Sequence, residues 1–106
     1  MRVGNVEGAA IVTKDGLLVA SHLPKEMDSG VFSAMSAAMH AAGETAVREF
    51  QKGTCRIVSA ESDDHVVIAY SIDEVRLLVA LFDSKANMGL IRLEIFKAAE
   101  RLQKIF

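Results

Sequence analysis

The chain has 106 residues, which is room for one domain. Hydrophobic residues make up 51% of it and aromatic residues only 6%, so the core must be built from Ala, Val, Leu, Ile and Met. The net charge of −2 comes from interspersed acids and bases, which argues against nucleic acid or an anionic membrane as the main partner. The lack of a signal-peptide pattern or long apolar run, and a single cysteine, predict a cytoplasmic protein.

The N-terminal region predicts a β-hairpin. Strand-like runs at residues 9–13 and 17–20 flank a polar turn that contains Asp15 and Gly16. Gly16 can take the positive φ that a three-residue hairpin loop needs. Pro24 then ends the second strand.

A long helix is predicted from an N-cap at Asp28 or Ser29 to about Gln51, with Gly53 as its stop signal. The predicted inward stripe consists of Val31, Phe32, Met35, Met39, Ala42, Ala46 and Phe50. The predicted polar side consists of Ser33, Ser36, His40, Glu44 and Gln51. A line of small residues runs beside the stripe and consists of Ala34, Ala37, Ala38, Ala41 and Thr45. This line either lets another helix approach closely or reflects the high helix propensity of alanine.

Three further strands are predicted at residues 55–60, 66–71 and 76–83. Their short polar connections suit antiparallel neighbours. The second and third of them are apolar on both faces, which is typical of strands in the middle of a sheet covered on both sides. A terminal helix follows an N-cap at Asn87. The order β-β-α-β-β-β-α predicts an α+β fold in a single domain of residues 1–106.

The residues do not form a catalytic constellation. No glycine-rich phosphate loop is placed between a strand and a helix. His65 with Asp63 and Asp64 suggests a metal site, but a solvated acidic turn accounts for these residues better. Cys55 opens a predicted strand, where a small buried hydrophobic residue is expected and not a nucleophile. We therefore predict no enzyme activity, no cofactor and no metal.

Three segments resemble the Roadblock family, the dynein light-chain type of domain. Residues 6–21 are similar to its opening hairpin, V-E-G-A-x-x-V-x-x-D-G. Residues 83–92 are similar to its junction between the final strand and the final helix, D-x-x-A-N-x-G-L-x-R. The Ala-rich helix at residues 35–45 lies between them, so the motifs occur in the family's order over nearly the whole chain.

The resemblance implies a profilin-like sandwich, in which a five-stranded antiparallel sheet has the long helix on one face and the terminal helix on the other. It also implies a homodimer that pairs through the third strand and the long helix and joins two sheets into one. Dimerisation would remove an open sheet edge that is prone to aggregation. The implied dimer interface consists of Ala34, Ala37, Ala38, Ala41, Thr45, Cys55, Ile57 and Val58.

One feature departs from the family pattern. Roadblock proteins usually begin with a helix, and the residues before the first strand are too few to form one here. The chain therefore resembles a prokaryotic single-domain member without that helix. We expect the terminal helix to have less cover on its face of the sheet. Either another chain covers the gap or Phe96, Ala99 and Phe106 close it.

The resemblance implies a non-catalytic dimeric scaffold or regulator of a small Ras-like GTPase, because microbial Roadblock proteins commonly accompany such GTPases. The expected partner-binding surface consists of Ser33, Ser36, His40, Glu44 and Arg48. One alternative is a structural light chain or assembly subunit with no nucleotide-dependent partner. Another is a small-ligand sensor, which requires a polar-lined pocket that the apolar strands are not expected to provide.

Overall fold

The computed structural model describes residues 6–50 and 53–106. Its elements are β1 (Val6–Thr13), β2 (Leu18–His22), α1 (Ser29–Phe50), β3 (Ile57–Glu61), β4 (His65–Ser71), β5 (Arg76–Asp83) and α2 (Met88–Ile105). The strands form one sheet in the order β2-β1-β5-β4-β3, and every neighbouring pair is antiparallel. The helix α1 lies on one face and α2 on the other. The predicted α+β class, element order and antiparallel sheet are confirmed.

The central strand β5 is buried on both faces. Leu77 and Val79 pack in the core layer beneath α1, whereas Leu78 and Ala80 pack in the layer beneath α2. Successive side chains of a strand point to opposite faces, so a strand that is covered on both sides must be apolar throughout. The continuous apolar run therefore predicted its central position correctly.

Local turn and cap chemistry also follows the sequence. Gly16 has a φ of 99°, and its N–H donates to the carbonyl of Thr13 at 2.9 Å. Asp28 Oδ1 accepts the N–H of Val31 at 3.0 Å at the start of α1. Asn87 caps α2 by accepting from the backbone N–H three residues on, at 3.1 Å. The predicted end of α1 at Gln51 lies outside the described residues.

The predicted orientation of α1 is wrong. Met35, expected inside, is 61% exposed, and Val31 and Phe50 are also exposed. Ser33 and His40, expected outside, are 1% and 2% exposed and face the sheet. Only Phe32 and Met39 of the predicted stripe pack against the α1 core layer.

Small side chains explain why this face of α1 packs against the sheet. The Oγ of Ser33 donates to the carbonyl of Ser29 at 2.7 Å, so its hydroxyl is satisfied within the helix. Because Ser33, Ser36 and Ala37 are small and buried, the helix axis can lie close to the strands at these positions. Of the larger apolar side chains of α1, Phe32 and Met39 pack in the α1 core layer, whereas Val31, Met35 and Phe50 are exposed.

The helix α2 covers the sheet through Ile91, Ile95 and Ala99, which are buried. Two of the side chains expected to close the gap beside it pack elsewhere. Phe96 makes an edge-to-face contact with Tyr70, with ring centroids 6.5 Å apart, and Phe106 stacks on the guanidinium of Arg76. Among the described residues, no helix is long and apolar enough to cross a lipid bilayer.

Candidate protein–protein interface

The outward face of α1 is exposed and apolar. It consists of Val31, Ala34, Met35, Ala38, Ala41, Ala42, Thr45 and Ala46, all of which are exposed. We refer to these eight residues as the outward α1 face. A helix that covers a sheet normally presents charged and polar residues to water. Exposed apolar surfaces are a common feature of protein–protein contacts, so this face is a candidate interface.

Most of the predicted small-residue line lies on this face. Ala34, Ala38, Ala41 and Thr45 are exposed, as a helix crossing at short distance requires. Ala37 is the exception, because it is 5% exposed and packs in the α1 core layer. Ala37 therefore contributes to the core of its own chain and is not accessible to a second helix while α1 stays packed.

The strand β3 forms one end of the sheet beside the outward α1 face. It pairs with β4, and its other edge is open in the described part of the chain. Ile57 and Val58 lie in this strand and are partly buried. Cys55 precedes the strand and is buried, with its thiol 3.5 Å from the carbonyl of Ile57. Cys55 therefore does not lie on the open edge, contrary to the prediction.

A glycine inside α1 brings the helix against the edge strand. A Cβ added to Gly43 would lie 2.5 Å from Cγ2 of Val58, closer than real Cβ atoms come to a neighbour. The absence of a side chain at Gly43 thus lets the outward α1 face and the open edge form adjoining surfaces. Sequence reasoning missed this residue, although a glycine within a predicted helix is a signal of close packing.

The expected partner-binding surface is only partly accessible. Ser33, Ser36 and His40 face the sheet, so a partner cannot touch them while α1 stays packed. Glu44 is partly buried and Arg48 exposed, and Arg48 Nη2 lies 3.3 Å from Glu44 Oε1. Because the rotation of α1 differs from the prediction, only Glu44 and Arg48 of the expected surface reach solvent.

The imidazole of His40 occupies the junction between α1 and the segment before β3. It is hydrogen-bonded to the backbone of Cys55, and its Nε2 has no partner among the described residues. Burial lowers the pKa of His40, and the charge of Lys14 lowers it further, while Glu44 and the Cys55 bond oppose the shift. His40 is therefore held neutral at this junction.

The turn that suggested a metal site forms ordinary side-chain contacts. His65 Nε2 lies 3.0 Å from Glu7 Oε2 on β1. Ser62 Oγ accepts the backbone N–H of His65 at 3.1 Å. Across residues 6–50 and 53–106, no three His, Cys, Asp or Glu side chains are grouped to hold a metal ion.

A polar cleft of about 450 Å³ lies at the end of the sheet beside α2. Its polar and charged lining includes Lys14, Arg56, Tyr70, Asp73, Glu100 and Gln103. Burial of Asp73 acts to raise its pKa, but backbone hydrogen bonds from Val75 and Arg76 and the Arg76 guanidinium together hold the pKa below its usual value. The expectation that the apolar strands leave no polar pocket overlooked α2 and the turns, which supply most of the lining.

Comparisons with known proteins place the chain among its relatives. The sequence model of the Roadblock/LC7 domain matches residues 1–82. An uncharacterized protein of Methanocaldococcus jannaschii, MJ1340, is 35% identical over 101 residues, which are 95% of this chain and 88% of that protein.

Solved structures share the fold at lower sequence identity. A Roadblock/LC7 domain from Streptomyces avermitilis superposes with a TM-score of 0.92 at 19% identity, over 98% of this chain and 88% of that one. Myxococcus xanthus MglB superposes with a TM-score of 0.88 at 24% identity, over 95% and 83% of the two chains. Profilin II of Acanthamoeba castellanii, with a TM-score of 0.66 at 21% identity over 95% and 87%, supports the profilin-like description. From the sequence match and the shared fold, this chain belongs to the Roadblock/LC7 domain family.

Proposed function

We propose that this protein is a non-catalytic homodimer that acts in the cytoplasm as a scaffold or regulator of a small Ras-like GTPase. The observation that carries the proposal is the outward α1 face beside the open edge of β3, on a Roadblock/LC7 fold. Both surfaces are of the kind that a protein partner covers.

In the proposed dimer, two copies pair along β3, and the two sheets become one. Ala38 and Ala41 lie where two α1 helices would cross, because alanine allows a short distance between helix axes. Val31 and Met35 would then be removed from water, and burying a side chain of this size contributes roughly 1.5–3 kcal/mol. An interface that closes on itself also leaves the open edge of β3 covered in both copies.

The GTPase is proposed to contact the C-terminal half of α1. Glu44 and Arg48 are the members of the expected partner-binding surface that reach solvent. In the proposed dimer, each copy contributes one Glu44–Arg48 pair beside the helix crossing, so the surface carries charges of both signs. Such rim charges affect the rate and specificity of association more than its affinity.

The test is an affinity purification that uses the wild-type protein as bait. It is run in parallel with GDP and with a non-hydrolysable GTP analogue, and the recovered proteins are identified by mass spectrometry. We expect a small GTPase to be enriched in one nucleotide state. Arg48→Glu should reduce its recovery, whereas Arg92→Glu, on the exposed side of α2, should leave it unchanged. Recovery of other stoichiometric proteins, with no GTPase in either state, would favour a structural light chain or assembly subunit.

The polar cleft supports small-ligand sensing as a second candidate function. Its lining combines two basic side chains, Lys14 and Arg56, with the aromatic ring of Tyr70. A metabolite that raises the melting temperature of the wild type, but not of Arg56→Ala, would favour this function. If no metabolite discriminates between the two proteins, the cleft is a solvated surface feature.

A further inference from the structure

The helix α2 covers only part of its face of the sheet. Its buried residues Ile91 and Ile95 pack on the core layer that contains Ile68 and Phe82, in β4 and β5. The strands β1 and β2 extend beyond this helix to the edge of the sheet. Between α2 and β2 lies an open groove of about 370 Å³, which we call the α2–β2 groove.

The floor of the α2–β2 groove is apolar. Ile11 on β1 pairs in register with Ala20 on β2, and Leu78 of β5 lies at the inner wall. Ala98 and Leu102 of α2 form the other wall. Phe96 and Phe106 do not fill the groove, because Phe96 packs on Tyr70 and Phe106 on Arg76.

The dimensions of the groove fit one α-helix. Two strands at about 4.8 Å spacing present a strip of sheet roughly 10 Å wide, which is the width of an α-helix with its side chains. The small side chain of Ala98 lets a second helix approach α2 closely. Ile105 lies four residues after Arg101, on the same side of α2. Its side chain is 74% exposed and extends the apolar wall.

The charges of the groove restrict the chemistry of its occupant. Among the described residues that line the groove, Arg101 carries the fixed charge, His22 and Ser21 are the other polar members, and none is a carboxylate. A carboxylate on the incoming helix would meet the guanidinium of Arg101 in a favourable ion pair.

We propose that the α2–β2 groove binds one amphipathic α-helix of a partner protein, with its apolar side on the sheet and acidic residues facing Arg101. A second copy of this chain is a poorer occupant through α2, because the exposed basic residues Arg92, Lys97 and Lys104 outnumber the exposed acidic residue Glu100 and would bring mostly like charge to Arg101. The groove and the outward α1 face lie on opposite faces of the sheet. The proposal is therefore independent of dimerisation and of a GTPase partner.

The probe is a synthetic peptide of about 18 residues, or five helical turns, with leucines at spacings of three and four and glutamates along one flank. Its matched control has lysines in place of the glutamates. Binding is measured by fluorescence anisotropy with the full-length protein. We expect the glutamate peptide to bind about tenfold more tightly than the lysine peptide at low salt, with a smaller difference at high salt.

Variants of the protein locate the site. Ala98→Trp should fill the groove and reduce binding of the glutamate peptide by about tenfold or more. Glu100→Trp, on the side of α2 away from the groove, should leave binding unchanged. Arg101→Glu changes an exposed residue and should reverse the preference between the two peptides, so it tests the site even if Ala98→Trp impairs folding.

Three results would overturn the proposal. The first is no binding of either peptide, and the second is binding that Arg101→Glu leaves unchanged in its charge preference. The third is self-association of the protein that Ala98→Trp abolishes in an ultracentrifuge without any peptide, because a second copy then occupies the groove. None of these results bears on the nucleotide-dependent purification, which probes the opposite face of the sheet.

Discussion

Gly43 of α1 and Val58 of β3 are in direct contact, and the contact leaves no room for a methyl group on the glycine. Glycine ordinarily weakens a helix interior by about 1 kcal/mol relative to alanine. Its presence in the middle of α1 is explained by the close approach of the helix to the edge strand. The pair therefore sets the relative position of the two elements that form the proposed dimer interface.

Gly43→Ala should destabilise the protein despite the higher helix propensity of alanine. The added Cβ would lie 2.5 Å from Cγ2 and 3.2 Å from Cγ1 of Val58, a stiff β-branched side chain, so the valine, the helix or the strand must shift. Overpacking of this kind costs roughly 1–3 kcal/mol, which exceeds the gain of about 1 kcal/mol in propensity. A domain of this size loses about 4–8 °C in melting temperature for each kcal/mol of stability. We therefore expect the melting temperature in a calorimetric scan to fall by several degrees.

The matched control for Gly43→Ala is Gly30→Ala in the first turn of the same helix. A Cβ at Gly30 would make an ordinary contact, 3.4 Å from Asp28 Oδ1. We expect this variant to be as stable as the wild type or slightly more stable. Equal gains in stability from both substitutions would contradict the tight contact with Val58.

The buried imidazole of His40 should make the protein less stable in mild acid. Burial and Lys14 lower its pKa in the folded protein, whereas in the unfolded chain the pKa keeps its ordinary value of 6.5. Below that value the unfolded chain binds the proton more readily, so the free energy of unfolding falls as the pH drops from 6.5 towards the folded pKa. The stability that depends on a neutral His40 is fully present above pH 6.5.

Denaturant unfolding at several pH values measures this effect. His40→Gln retains a polar side chain but cannot take up a proton, so it should flatten the pH dependence between about pH 5 and 7. His22→Gln replaces an exposed imidazole on β2 and serves as the control. The interpretation fails if the slope in His40→Gln equals that of the wild type.

The strand positions and helix caps could be predicted from the sequence because their determinants are local. A turn that needs positive φ accepts Gly16 readily, and Asn87 bonds a backbone N–H only three residues away. The continuous apolar run of β5 likewise predicts burial on both faces, whichever elements cover the strand. These elements therefore required no knowledge of the tertiary packing.

The rotation of α1 could not be predicted in this way, because small or apolar residues occupy two faces of the helix. Periodicity assigns the side with the larger apolar residues, such as Met35, to the core. Here Met35 faces outward, and Ser33, Ser36 and Ala37 are buried on the sheet side together with His40. The same rotation decides which residues of the expected partner-binding surface are accessible. The α2–β2 groove was anticipated only as a gap, since its shape depends on where Phe96 and Phe106 pack.

Loss of the α2 cap should have a measurable cost. Asn87 Oδ1 accepts the N–H of Leu90, one of the donors that a helix start leaves without a partner. Asn87→Ala should lower the free energy of unfolding by about 1 kcal/mol. Asn87→Asp retains an acceptor at the helix N-terminus and should restore most of the stability. If both variants lose the same amount in urea titrations, the side-chain oxygen does not stabilise the helix.

The outward α1 face should control the oligomeric state. Ala38→Arg places a long charged side chain at the proposed helix crossing. Because the proposed interface is symmetric, the arginines of both copies would face each other there. Sedimentation equilibrium should show a wild-type dimer and at least about a tenfold weaker association for Ala38→Arg. The variant should keep the circular dichroism spectrum of the wild type, because Ala38 is exposed in the single chain. Glu100→Arg, an exposed change on α2, is the control and should remain dimeric. A monomeric wild type at all accessible concentrations, or an unaltered dimer in Ala38→Arg, would show that the outward α1 face is not where two copies meet.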